Sequence, residues 1–528
     1  MNSLVIALCA IIPLILAYLF YGRILDRILS IDPKRPTPAY SRYDSVDYIP
    51  AKNWLVLFGH HFSSIAGAGP IIGPVIAVML WGWLPALLWV ILGTIFIGGV
   101  HDFGSLAISV KEGGVSVADI AGNVISRRAK KIFALFVWLA LVLVIAVFAY
   151  LCADTFIKEP KIVLPSLGVI PVAVLVGFFL YNPKFNSVFS TVLGLLLFAI
   201  LIYLGAKVPI HGGLSFWIIL LSIYCYLASV LPVNILLQPR DYLSSFLLFF
   251  GLLGGYLGVL LLRPQITLPA YTRFSSSQGE LWPSLFVIVA CGAVSGFHSL
   301  VASGTSSKQI ANERYIRRIG YGGMAVEAAV AVLAIISVAV VFGAHDDLGA
   351  ILKSAGPIGI FGSGYGMLTK KFLGAHGEFI AITMLNAFIL TTLDTATRIC
   401  RYLTEELFGI KNRFFATIVV IIPAGALALS GKWQKIWPAF GASNQLVAAL
   451  ALFVLSCWLL SKKKPVMATL IPAFFMLATT LASLFLQAAS YFKGADMILF
   501  SVCAILILLA GFMLIEVIRV FSKRGADA

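Results

Sequence analysis

The chain has 528 residues, of which 60% are hydrophobic and only 11% charged. Soluble domains carry about a quarter charged residues, and no polar stretch here is long enough to build a core of its own, so a soluble fold is excluded. The formal net charge of +16 would suggest nucleic acid in a soluble chain, but the Lys and Arg residues fall in loops between apolar runs, where they set topology.

About fifteen apolar segments of spanning length follow one another, at 3–21, 53–80, 83–110, 132–153, 164–181, 188–206, 214–237, 242–262, 283–307, 321–343, 376–395, 414–430, 437–460, 466–489 and 495–518. The first lacks a basic leader and a small-residue cleavage site, so it reads as a retained helix. The second is interrupted by Gly59-His60-His61-Phe62-Ser63-Ser64-Ile65-Ala66-Gly67-Ala68-Gly69-Pro70. Glycines beside a proline break the helical ladder, and paired histidines in an apolar run need a cavity or a partner. Irregular backbone at membrane depth survives only where protein buries it or water lines it. The stretch therefore predicts a broken helix beside a polar cavity; an ordinary proline kink is the plainer alternative.

Basic residues recur in alternate loops. They are Arg23 to Lys52, Lys111 to Lys131, Lys308 to Arg318, Arg398 to Arg413, Lys462 to Lys464, and Lys523 with Arg524. With fifteen spans these share one side, which the positive-inside rule makes the cytoplasm, leaving the N-terminus outside and the C-terminus inside. In the loop 344–375, Pro357–Tyr365 is apolar, glycine-rich and too short to span, and reads as a re-entrant hairpin or a plain loop. Seven cysteines stand singly with no CxxC pair, as small hydrophobes rather than a disulfide frame or zinc site.

Shifting the first motif by 237 residues superposes it on Gly296-Phe297-His298-Ser299-Leu300-Val301-Ala302-Ser303-Gly304-Thr305-Ser306-Ser307, so that Gly59, His61 and Gly67 meet Gly296, His298 and Gly304. The two segments run in opposite directions, as in the inverted repeats of secondary transporters. The expected organisation is one integral membrane domain over 1–528. It has a first repeat at 53–206, a second at 283–460, and peripheral helices at 1–52 and 461–528. The freed N–H groups of two broken helices suit an anionic group. The expected substrate site is His60, His61, Ser63, Ser64, Gly67, Gly69, His298, Ser303, Gly304 and Thr305.

Three buried carboxylates are candidates to carry a coupling proton. Asp102 follows His101 and is expected to pair with it or with another helix. Glu327 is a second, with Arg317 or Arg318 as a competing partner. Asp394 lies among the hydroxyls of Thr391, Thr392, Thr395 and Thr397, with Arg398 as a simpler salt bridge. Arg240-Asp241 is expected to open a helix at the cytoplasmic face, and Asn386, Asn444 and Gln445 to bond between helices. His60, His61, His101, Asp102 and His298 also suit a divalent metal if the fold assembles them. No HExxH, GxSxG or P-loop lysine appears, so no enzyme, cofactor or direct ATP drive is implied.

These residues are familiar. The stretch Asn53–Pro70, His101-Asp102-Phe103, Gln238-Pro239-Arg240-Asp241-Tyr242-Leu243, Ser295–Thr305 and Leu393-Asp394-Thr395-Ala396-Thr397-Arg398 together resemble the signatures of the carbon starvation protein A (CstA) family. The resemblance runs from the first loop to about Gln445. It implies a secondary transporter of the amino acid–polyamine–organocation superfamily, with a leucine-transporter-like, all-α inverted repeat plus extra helices. It also implies import of short peptides or a small carboxylate such as pyruvate, coupled to protons, under carbon starvation. The partners are then substrate, protons and the lipid bilayer of the cell's inner membrane, and no nucleic acid. A channel or divalent-metal transporter built on the histidines is the alternative.

Overall fold

A chain this apolar must satisfy its backbone hydrogen bonds within itself once in lipid, and helices do so locally. The computed structural model describes residues 2–44, 47–181, 184–232, 236–343 and 347–525. The described residues are helical almost throughout, with one two-residue hairpin, Ser275–Ser276 against Gly279–Glu280. The helices are α1 (Ser3–Ile28), α2 (Trp54–Ile65), α3 (Gly69–Trp81), α4 (Trp83–Lys111), α5 (Val117–Val124), α6 (Arg127–Lys158), α7 (Val163–Tyr181), α8 (Ser187–Lys207), α9 (Leu214–Val230) and α10 (Leu237–Leu262). After a short helical stretch at 281–288 come α11 (Gly296–Gly304), α12 (Ile316–Ala339), α13 (Leu348–Ser354), α14 (Gly356–Leu373), α15 (Gly377–Phe408), α16 (Arg413–Leu429), α17 (Trp433–Ser461), α18 (Met467–Lys493) and α19 (Met497–Gly525).

Each of the expected apolar segments is represented, but they are unequal. Among the described residues eleven helices are long and apolar enough to span, or twelve if the bent α2–α3 pair counts as one. The difference from about fifteen lies in α9 and α16, of 17 residues each, and in 283–307, which is not one helix. Positions 233–235, the end of the expected 214–237 segment, lie outside the described residues. So do Ala344 and the side chains of Lys523 and Arg524.

The basic loops converge at one end of the bundle. Buried Glu313 gathers three of them, accepting from Arg35 Nη1 at 3.1 Å, Asp32 N at 2.9 Å and Lys111 Nζ at 3.4 Å. Lys130 bridges Asp119 and Glu406, Arg317 pairs with Asp26, and Trp458 donates to Glu112. The loops after α1, α4, α11, α15 and α17 therefore share a face, as the charge pattern predicts.

Pro357–Tyr365 is neither hairpin nor loop. It lies inside α14, an 18-residue helix. A Cβ on Gly356 would touch Lys158, one on Gly364 would meet the Ser337 carbonyl, and one on Gly258 the Leu368 carbonyl. Those neighbours lie near the ends of α6, α12 and α10 opposite the basic loops. So α14 lies across the far end of the bundle without crossing it. Its glycines permit that backbone-to-backbone approach, which a composition-based reading mistakes for loop character.

Cysteines placed at Arg128, Arg314 and Lys463, exposed at the basic end, should all react with an impermeant thiol reagent from one side of the membrane, and one at Lys370 from the other. Mixed reactivity among the first three would contradict this arrangement.

Candidate functional site

The break between α2 and α3 is built by close approach rather than by positive φ. α2 ends at Ile65, and α3 restarts at Gly69-Pro70 bent by 45°. A Cβ on Gly67 would strike Phe148 and Thr392, one on Gly69 would strike Cys291, and one on Gly73 the Ile288 carbonyl. Thr392 Oγ1 donates to the Ser64 carbonyl at 3.2 Å, satisfying one acceptor that the broken ladder frees.

The second break is real but displaced. The expected interruption at Gly304–Ser307 is instead the end of α11, followed by a 3₁₀ turn. The irregular backbone lies upstream, at 289–295. It is held from two sides. Asn444 Oδ1 accepts from Phe297 N at 2.9 Å, and its Nδ2 meets Ser295 Oγ at 3.0 Å. A π-turn in α4, Thr94–Gly98, presents Thr94 Oγ1 to the Gly292 carbonyl at 3.3 Å. The first break therefore meets Cys291 and Gly292, while Gly304 faces only Ile399. The two broken stretches still run in opposite directions between the basic end and the far end.

Two charge clusters flank the first break. In one, His101 Nδ1 and His298 Nδ1 each lie 2.7 Å from an Asp102 oxygen, and His298 Nε2 lies 3.1 Å from Glu327 Oε2. All four side chains are fully buried. The face of α12 explains the meeting. Gly320 lets the helix sit against the Asp102 backbone, Gly323 receives the edge of His61, and Glu327 one turn on reaches His298. His61 also places Nδ1 2.8 Å from Ser306 Oγ, and its Nε2 has no hydrogen-bond partner among the described residues. Both Glu327 oxygens and the Ser64 hydroxyl likewise lack an aligned hydrogen bond.

In the other cluster, His60 Nδ1 lies 3.0 Å from Asp241 Oδ2. Arg240 donates to Asp241 Oδ1 at 2.7 Å and grips Asp394 with both terminal nitrogens. Tyr224 donates to Asp394 Oδ2 at 2.7 Å. Ser63 Oγ donates to the Asp241 carbonyl at 3.4 Å. Neighbouring histidines on α2 thus point into different clusters.

Several expected partners are replaced. Arg240 and Asp241 do not sit at the surface but are buried against Asp394. Arg398 instead donates to the Ala228 and Leu231 carbonyls. Of the threonines near Asp394, Thr392 and Thr397 bond to backbone, and Thr391 and Thr395 have no partner among the described residues. Arg317 takes Asp26 and leaves Glu327 to His298. Ser303 and Thr305 bond back to the α11 backbone, the former also receiving Val117 N. Asn386, Asn444 and Gln445 bond between helices, as their chemistry implies. Among the described residues no three His, Cys, Asp or Glu side chains converge as a metal-ligating group. Sequence reasoning missed Tyr224 altogether, since a tyrosine inside an apolar run carries no signal.

Comparison with known proteins gives the family and the fold. A family model described as Carbon starvation protein CstA matches residues 2–348 and 343–483. The "Peptide transporter CstA" of Escherichia coli (strain K12) is 31% identical over 91% of this chain and 80% of its own. That of Bacillus subtilis is 29% identical over 98% of this chain and 96% of its own. The "Pyruvate/proton symporter BtsT" of Escherichia coli is also 29% identical, over 91% of this chain and 81% of its own. A crystal structure of the Eremococcus coleocola manganese transporter shares the fold, with a TM-score of 0.54, 14% identity and coverage of 90% of this chain and 99% of that one.

Replacing His298 by Gln leaves Asp102 and Glu327 facing each other without the ring between them. The cost should be about 3–5 kcal/mol, the range for breaking a buried ion pair. Adding Glu327→Gln should recover part of it. Thermal unfolding of single and double variants in detergent measures the coupling, and simple additivity would contradict the cluster.

Proposed function

This chain belongs to the carbon starvation protein CstA family, and from that we propose that it is a proton-coupled symporter importing short peptides or a small carboxylate such as pyruvate during carbon starvation. It is a multi-pass membrane transporter, by its helices and by its curated relatives. The orientation proposed places the basic end in the cytoplasm of the inner membrane, with the N-terminus outside and the C-terminus inside. The two oppositely directed broken stretches support an inverted repeat over 53–206 and 283–460.

The observation that carries the reading is the buried run His101–Asp102–His298–Glu327 beside the first break. An imidazole held between two carboxylates can take a proton from one and give it to the other without leaving its place. Substrate bound at the N–H groups of the break would sit against His61, which shares the α12 face with Glu327. Proton and substrate then act on the same contact between α2 and α12. Glu327 and Asp102 are the proposed coupling carboxylates. Asp394 is tied to Arg240 and Tyr224, so its role is to hold α10 and α15 together and its part in coupling is indirect. The proposed substrate site keeps His60, His61, Ser63, Ser64, Gly67, Gly69 and His298, and adds Cys291 and Gly292 from the second break. Ser303, Gly304 and Thr305 move to the route towards the basic end, where Ser303 and Gly304 line a cavity of about 280 Å³.

The alternative of a channel or divalent-metal carrier needs the histidines to act as one ligand set. His60 turns to Asp241 while His101 and His298 share Asp102, and among the described residues no three His, Cys, Asp or Glu side chains converge, which argues against it.

In proteoliposomes with an imposed proton gradient, the unaltered protein should accumulate labelled dialanine or pyruvate. Glu327→Gln and Asp102→Asn should lose gradient-driven accumulation and retain counterflow exchange, whereas Asp394→Asn should lose both. Normal accumulation by the first two variants would remove the coupling role.

A further inference from the structure

Near the basic end a groove of about 610 Å³ runs between α1, α2, α10 and α12. Its floor is α12 at Gly322, Ala325 and Ala329, and Phe58, Phe249 and Leu252 form one wall. Phe58 stacks on Phe249 with ring centroids 6.1 Å apart, and Phe249 on Phe62 at 5.2 Å, so that wall is one aromatic run reaching into the core. The other wall is α1. It is held to α12 by Tyr18 against Tyr321, and by Gly22, where a Cβ would meet the Arg317 side chain. The lining side chains are half-buried or exposed almost throughout, so the groove opens sideways to the bilayer.

Two features identify the occupant. The first is charge. Arg318 is the single charged side chain in the lining, and among the described residues it has neither an acidic partner nor a hydrogen bond. Its guanidinium lies 5.3 Å from the centroid of the Trp54 ring and 5.8 Å from that of Tyr315. A cation among Trp and Tyr rings at the mouth of an apolar groove stands at headgroup level, where anionic lipid is attracted to it. The second feature is length. From Arg318 to Ala329, eleven residues of α12 rise about 16 Å. One leaflet of the hydrocarbon core is about 15 Å deep. A soluble anion has no use for the apolar walls, and an uncharged lipid has none for Arg318.

We propose that this groove binds one anionic phospholipid from the leaflet at the basic end, with its phosphate on Arg318 and one acyl chain laid along α12, and that this lipid braces α2 against α12. The bracing follows from position. Gly322 and Val326 line the groove, while their chain neighbours Gly323 and Glu327 face inward to His61 and His298. On α2, Phe58 of the wall precedes His61 by one turn. The chain therefore fills the outer side of the α2–α12 contact whose inner side holds His61. A lipid that fits one spacing of these helices better than another shifts the equilibrium between them. A zwitterionic headgroup carries its own cation beside the phosphate, so it gains less from Arg318.

Native mass spectrometry of the full chain in neutral detergent, titrated with dioleoylphosphatidylglycerol or dioleoylphosphatidylcholine, reads the affinity of the first bound lipid. Phosphatidylglycerol should bind about tenfold more tightly, the scale of one charge-assisted hydrogen bond. Arg318→Gln, a change at an exposed position, should remove that difference and leave phosphatidylcholine binding unchanged. Gly322→Leu should weaken both lipids. A Cβ there makes ordinary contacts with Phe58 and Tyr18 at 3.7 Å, and the rest of the side chain must occupy the groove. Hydrogen–deuterium exchange in α2 should slow when phosphatidylglycerol is bound, and the slowing should be lost in Arg318→Gln. Equal affinity for the two lipids in the unaltered protein, or phosphatidylglycerol binding indifferent to both substitutions, would overturn the site. Exchange in α2 unaltered by bound phosphatidylglycerol would overturn the bracing. None of these readouts uses a transported substrate, so they stand or fall separately from the transport reading.

Discussion

The constraint on which the rest depends is the cost of burying charge away from water. Asp102, Glu327, Asp394, Asp241 and Arg240 are all fully or almost fully buried. An isolated charge in such a setting is expensive enough that each must be paired and hydrogen-bonded. The pairing fixes which helices touch. Asp102 and His298 tie α4 to α11, Glu327 ties α12 to α11, and Asp394 ties α15 to α10 and α9. Helices α2 and α3, with their break, run between these ties. Apolar packing alone selects poorly among helix arrangements in lipid, because lipid tails are as apolar as leucine. Polar contacts between helices, together with glycines that admit close backbone approach, select one.

The same economy governs the breaks. Freed backbone groups need partners, and the structure supplies them from neighbouring helices: Thr392 for Ser64, Thr94 for Gly292, Asn444 for Phe297. Each partner comes from a different helix, so movement of any of them alters the break. A gradient-driven carrier needs that property, since proton and substrate must bias one conformational equilibrium.

Much of the architecture was legible because its causes are local. Runs of apolar residues mark the helices, and loop cations mark a shared end. The Gly67–Pro70 cluster marks a break. His101-Asp102 declares its own partnership because the residues are adjacent. What was not legible depends on helix register. Asp394 is four residues from Arg398 on α15, the spacing that usually makes a helical salt bridge, yet it turns to Arg240 on another helix. Arg240-Asp241 looked superficial as the opening of a helix at the cytoplasmic face, although both side chains are buried. The 237-residue offset pairs His61 with His298, and both of these meet the α12 face, at Gly323 and Glu327. It misplaced the second break, because non-helical backbone at 289–295 contains no proline and shows only Gly292 and Ser295 to signal it. Pro357–Tyr365 failed for the opposite reason. Its glycines allow helix packing, where sequence alone suggests a loop.

The central claim is that Glu327, joined to Asp102 through His298, binds the proton that substrate movement releases or captures. Infrared difference spectroscopy of the lipid-reconstituted protein, recorded on adding dialanine or pyruvate at fixed pH, observes carboxyl protonation directly. The account predicts a substrate-dependent change in a protonated-carboxyl band that disappears in Glu327→Gln. A spectrum in which substrate binds with no carboxyl change, or in which the band survives unaltered in that variant, would contradict it.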